Sequence, residues 1–153
     1  MLETDTLSVA KGLLVAYEYQ ITTSSIFIVD DNAGKHYAIF EDPDSSFKGQ
    51  ISISLDSPES IEHLKGLLWM LGAPVETSTR LWDFIVRPIM AAIDSRILVY
   101  GNRVSIMAST SHKASSVTID LPSLKVWHKG KLRFTVTDKV PGPAAKRIVE
   151  LLK

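Results

Sequence analysis

Residues 96–108, Arg96-Ile97-Leu98-Val99-Tyr100-Gly101-Asn102-Arg103-Val104-Ser105-Ile106-Met107-Ala108, read as a β-hairpin, and the fold class follows from that reading. Gly101-Asn102 is a two-residue turn signal between two β-rich runs, Ile97–Tyr100 and Val104–Ala108. The register it imposes puts Ile97, Val99, Val104 and Ile106 on one face, with Tyr100, Arg103 and Ser105 on the other. One side of this hairpin therefore belongs to a core and the other does not.

Downstream, a polar serine-rich stretch, Thr110–Ser116, leads to a third strand built on Val117, Ile119 and Leu121. A final hairpin, Leu124–Val136, precedes Pro141-Gly142-Pro143. The last helix runs from Pro143 to about Leu152, burying Ala144, Ala145, Ile148, Leu151 and Leu152 and exposing Lys146, Arg147 and Lys153.

Upstream, Leu81, Phe84, Ile85, Ile89, Ala92 and Ile93 recur at helical spacing from about Thr77 or Ser78 to Ile93. Pro88 in the interior predicts a kink or break there. Before it, Ser57 caps a helix with Pro58 at its first position and Glu59 in its first turn; Ile61, Leu64, Leu67, Leu68 and Leu71 form the buried stripe, and Gly72 and Pro74 end it. Ser25–Val29, His36–Phe40 and Ile51–Leu55 read as strands separated by turn clusters. In the last of these the serines face outward. A first helix, capped by Asp5 or Thr6, places Leu7, Ala10, Leu13, Leu14 and Tyr17 on one stripe.

Strand runs segregated from helices indicate an α+β fold, one or more antiparallel sheets of about seven strands with N-terminal, central and C-terminal helices packed on them. The order also divides into two unequal units of strands followed by helix. At 153 residues, with 45% hydrophobic and 22% charged residues, the chain fits a single folded domain, residues 1–153.

The absence of cysteine removes disulfides, thiol nucleophiles and thiolate metal sites. The opening residues carry acids where a secretory signal carries cations, and no apolar run approaches roughly twenty residues. The expectation is a cytoplasmic protein with no membrane partner. Only two Asn and two Gln occur, a scarcity shared with thermophile proteins, although the accompanying Lys/Glu enrichment is missing.

A formal net charge of zero conceals a division. Residues 1–95 carry 14 acids and 6 Lys/Arg, whereas residues 96–153 carry 3 acids and 11 Lys/Arg, a net −8 joined to a net +8. A basic half of this kind suits a polyanion.

The basic half concentrates in Lys125-Val126-Trp127-His128-Lys129-Gly130-Lys131-Leu132-Arg133-Phe134. A two-residue loop at Lys129-Gly130 makes Trp127 a core residue beside Leu132 and Phe134. A three-residue loop, His128-Lys129-Gly130, instead turns Leu124, Val126, Leu132, Phe134 and Val136 inward and is the register expected. Lys125, Trp127, Lys131 and Arg133 then share the opposite face with Lys129 at the tip, and Tyr100 and Arg103 extend it. Cations meet phosphate with release of counterions, and an exposed indole offers a stacking platform for a base. Against this stands a plainer role, since Lys and Arg on sheet edges also block strand-to-strand aggregation.

Other candidates carry less chemistry. Asp30, Asp31, Glu41, Asp42 and Asp44 fall at strand ends where a Mg²⁺ hydrolase could use them, but they arrive as turn clusters. His36, His63, His112 and His128 are scattered without metal-ligand spacing, and His112 among serines has no orienting acid. Trp69 and Trp82 lie beside helical stripes as core or subunit-interface residues. The sequence thus points to a protein that binds rather than catalyses and needs no cofactor or metal. The leading expectation is a single-stranded DNA or RNA binder that works through the basic sheet face. Whirly-type single-strand binders offer an analogy of architecture, with no shared motif. The alternative is an assembly protein whose acidic and basic surfaces meet in a homo-oligomer; a metal-dependent hydrolase is the third reading.

Overall fold

The computed structural model describes residues 6–17, 25–31, 33–41, 49–77, 81–108, 116–121, 123–136 and 142–153. Thr6–Tyr17 form helix α1, and Ser25–Asp30, His36–Glu41 and Gly49–Ser54 form strands β1, β2 and β3. Helix α2, Glu59–Met70, is followed by a π-helical turn, Trp82–Val86, that continues into α3, Arg87–Ala92. Strands β4 (Ser95–Tyr100), β5 (Arg103–Ala108), β6 (Ser116–Asp120), β7 (Lys125–His128) and β8 (Lys131–Thr135) then precede α4, Gly142–Leu152.

All eight strands form one sheet in chain order, one strand more than the sequence suggests. Every neighbouring pair is antiparallel except β3 and β4, which are parallel. A parallel pair requires a crossover, and α2 with the π turn and α3 supplies it. The two strands-then-helix units thus join at mid-sheet, with the acidic half in β1–β3 and the basic half in β4–β8.

Opposed residues share a face, so the register sorts the side chains. Phe40, Ile51, Ile97, Ile106 and Val117 lie in one inward row, and Ala38, Ile53, Val99, Val104 and Ile119 in the next. All of these are fully buried, and one core cluster joins them to residues from every helix, including Ala10, Leu64, Ile89 and Ile148. The helices therefore cover the inner face. Among the described residues none covers the outer one.

Local chemistry fixes the elements. Gly101 takes φ +54° at the first turn position while Asn102 stays at negative φ, the type II′ pattern, and the hairpin register is the one read from sequence. The Ser57 hydroxyl accepts the Glu59 N–H at 3.3 Å at the start of α2. Ser54, expected to face out, is buried on the outer side and donates to Asp56 Oδ2 at 2.8 Å.

The expected disturbance at Pro88 takes the form of the π turn. Arg87 N–H bonds to the Trp82 carbonyl, five residues back. That wider ladder moves the carbonyl a proline ring would strike in a regular helix, and Pro88 enters α3 in its first turn. The residues before it, 78–80, where this helix was expected to begin, lie outside the described set. Trp82 is buried against Gly66, where an added Cβ would stand 2.2 Å from the indole Cδ1, so it belongs to the core. It has no surface to offer a partner subunit.

Candidate nucleic-acid interface

The final hairpin departs from the expected register. His128 pairs with Lys131, leaving a two-residue loop whose members both adopt positive φ, Lys129 at +53° and Gly130 at +75°, as in a type I′ turn. Continued unchanged, this register would set Arg133 opposite Val126 and drive a cation inward. Instead the ladder shifts between Val126 and Trp127, so that Val126 faces Phe134 and Trp127 faces Leu132. The bulge absorbs the odd residue that the three-residue loop was expected to absorb. Val126 and Phe134 still turn inward, and the Arg147 guanidinium lies 3.9 Å from the centre of the Phe134 ring.

This shift sorts the expected site residues. Trp127 is half-buried on the outer face, as expected, and Lys125 shares that face beside Asp120. Tyr100 and Arg103 pair with each other on the same face, Tyr100 being 53% exposed. Lys129 is at the turn. Lys131, expected beside Trp127, has the opposite parity, paired with buried His128. Arg133 is the residue that the bulge leaves over in the exposed edge strand. Leu132, expected in the core, is outside and 48% exposed.

Three adjacent strands build the site. Val117 and Ile119 point into the core, so Ser116, Thr118 and Asp120 of β6 face outward between Arg103 on β5 and Trp127 and Lys125 on β7. The result is an open groove of about 400 Å³ lined by Arg103, Ser116, Thr118, Asp120, Trp127, Lys129 and Gly130. Asp120 organises it. Its Oδ2 accepts the Trp127 indole N–H at 2.9 Å, and its Oδ1 lies 3.5 Å from Arg103 Nε.

Sequence reasoning missed Asp120, Thr118 and Ser116, although the alternation of Val117 and Ile119 was the signal that could have found them. The carboxylate compensates one cation on the face. Arg103, Lys125 and Lys129 against Asp120 leave the groove net positive, and exposed Arg96 lies on the same face between Gln50 and Met107.

An apolar row crosses this outer face from Phe27 on β1 through Leu98 at the centre to Trp127 and Leu132. The hydroxyl residues Ser52, Ser105 and Thr118 interrupt the same row, Ser52 before Leu98 and the other two between Leu98 and Trp127. The surface thus offers aromatic and aliphatic area, small donors, and cations at one end.

His128 lies beneath the groove on the inner side. Burial, reinforced by the Lys129 and Arg133 cations, holds its pKa below the usual histidine value. His63 is buried on α2 and donates from Nε2 to the Gly101 carbonyl at 3.0 Å, tying the hairpin turn to the helix layer. Burial also lowers its pKa, partly offset by that hydrogen bond.

The described acidic turn, at Asp30 and Asp31, serves local structure. Asp31 Oδ1 accepts the Ala33 and Lys35 amides, each at 2.9 Å, and the Lys35 amide above all holds its carboxyl below the usual carboxylate range. Asp30 is 2.9 Å from His36 Nε2. Asp42, Asp44, His112 and the Glu41 side chain lie outside the described residues. Among the described residues no three His, Asp or Glu side chains gather as a metal-ligand set, and no helix is long and apolar enough to cross a membrane. In comparison with known proteins, the chain matches no family model, no curated protein and no solved structure.

Proposed function

We propose that the protein binds single-stranded nucleic acid on the outer face of its sheet, with the β5–β7 groove as the principal contact. The observation that carries this reading is the placement of Trp127. A half-exposed indole, fixed by Asp120, stands beside Arg103, Lys125 and Lys129 on a face that no described helix covers. A base stacks on the indole while the cations meet the phosphates on either side. Ser116 and Thr118 hydroxyls donate to phosphate or sugar oxygens along β6. Asp120 keeps the face from being uniformly cationic, which favours the aromatic contact over simple charge attraction. Tyr100, paired with Arg103 at the β4 side of the groove, supplies a second stacking surface.

A fluorescently labelled single strand of about ten nucleotides, titrated at low salt, tests this reading, with a duplex of the same length as comparator. The single strand binds more tightly, and reversing one charge in the groove, Lys129→Glu, weakens it severalfold. Absence of binding to either at low salt overturns the proposal.

A further inference from the structure

Among the described residues the sheet is open at both edges, and its two outer strands are built differently. Strand β8 carries Lys131 and Arg133, is bulged at Arg133, and has Arg147 stacked over Phe134 beside it. Cations and bulges on an edge are devices against pairing with another strand. Strand β1 has none of these. Its residues Ser25-Ile26-Phe27-Ile28-Val29-Asp30 contain no Lys, Arg or Pro, and pair with β2 through six successive partners without a bulge. Phe27 on this strand is 39% exposed.

From this asymmetry we infer that β1 is an assembly edge that pairs antiparallel with β1 of a second copy of the chain. The occupant follows from the chemistry. Two β8 edges would bring Lys131 and Arg133 of both copies together, which repels. Joining β8 to β1 would set the bulged, charged strand against a regular apolar one. Two β1 edges match each other residue for residue, as a two-fold interface requires.

Face alignment restricts the register further, because opposed residues must have the same parity. Pairing centred on Phe27 sets Phe27 opposite its own copy on the outer face and Ile26 opposite Ile28 on the inner face. No like charges then meet across the described strand. Pairing centred on Ile28 would place Asp30 opposite Ile26, so the Phe27-centred register is preferred. The product is a continuous sheet of twice eight strands in which the two outer faces merge and the basic grooves lie at opposite ends. The inference stands on the strand edges alone and is independent of any ligand.

Sedimentation or light scattering of the ligand-free full chain tests it, and the absence of cysteine gives a second measurement. A dimer of twice the 16.9 kDa chain mass is expected at concentrations from the micromolar range upward. Phe27→Lys, a change at an exposed position, should shift dissociation at least tenfold toward monomer while preserving the circular dichroism spectrum. In the otherwise cysteine-free chain, Phe27→Cys should cross-link to covalent dimer under mild oxidation, whereas Leu132→Cys on β8 should not. A monomer at all concentrations, a dimer indifferent to Phe27→Lys, or preferential cross-linking through position 132 would each overturn the inference. None of these outcomes depends on nucleic-acid binding, so the two proposals fail separately.

Discussion

Trp127 donates its indole N–H to Asp120 across adjacent strands at 2.9 Å, and the same carboxylate faces Arg103 from its other oxygen. One acidic residue therefore fixes both the aromatic and the guanidinium group of the groove. The ion pair is exposed enough to contribute little to stability. The indole bond is part-buried, and its loss leaves the indole N–H without that partner, so Asp120→Ala should cost about 1–2 kcal/mol in urea unfolding. A change below about 0.5 kcal/mol would mean that packing alone sets the indole's pose.

The turn at Lys129-Gly130 offers a direct check of register. A non-glycine residue at φ +53° is strained, and Asn is better tolerated there than Lys. Lys129→Asn should raise stability by about 0.5–1 kcal/mol. In a three-residue loop, position 129 would keep negative φ and the substitution would bring no gain.

Much of the architecture was legible before the structure. The helical stripes, apart from Phe84 and Ala92, which are exposed, the Gly101-Asn102 hairpin and the inward alternation of β5 and β6 are all local patterns, and local patterns dictate them. What sequence could not locate was the odd residue in the last hairpin. Val126 and Phe134 both need the inner face, and either a longer turn or a bulge satisfies that need. The protein bulges at Arg133, which sends Leu132 outward and Lys131 toward the inner side. Trp82 shows a second limit. Its burial depends on Gly66 of another helix, and that contact is tertiary.

That contact yields a prediction of its own. Gly66→Ala places a methyl group 2.2 Å from the Trp82 Cδ1 in the closely packed contact between α2 and the π turn. Overpacking of this kind costs about 1–3 kcal/mol or more. Chemical denaturation should show it, and an unchanged midpoint would mean that the indole can move aside.

The two buried histidines set a pH dependence. His63 and His128 both have their pKa lowered in the folded protein, chiefly by burial. The unfolded chain, with histidine pKa values of about 6.5, then binds more protons than the folded one as pH falls. Stability is therefore complete above about pH 7 and declines as pH drops through about 6.5. The urea midpoint should be lower at about pH 5.5 than at about pH 7.5, and His63→Gln should reduce the difference. Asp31, with its carboxyl held low, acts in a separate window below about pH 4. A flat profile between about pH 5.5 and 7.5 would contradict the histidine account.

The most direct test of the central claim compares the wild-type protein with Trp127→Ala in binding a short single-stranded oligonucleotide across a salt series. Wild-type affinity should fall linearly on a log–log plot, with a slope corresponding to about three phosphate contacts. Trp127→Ala should weaken binding by about 1–3 kcal/mol at every salt concentration while leaving that slope unchanged, because it removes stacking and no charge. Equal binding by the two proteins, or no salt-sensitive binding by the wild type, would contradict the account.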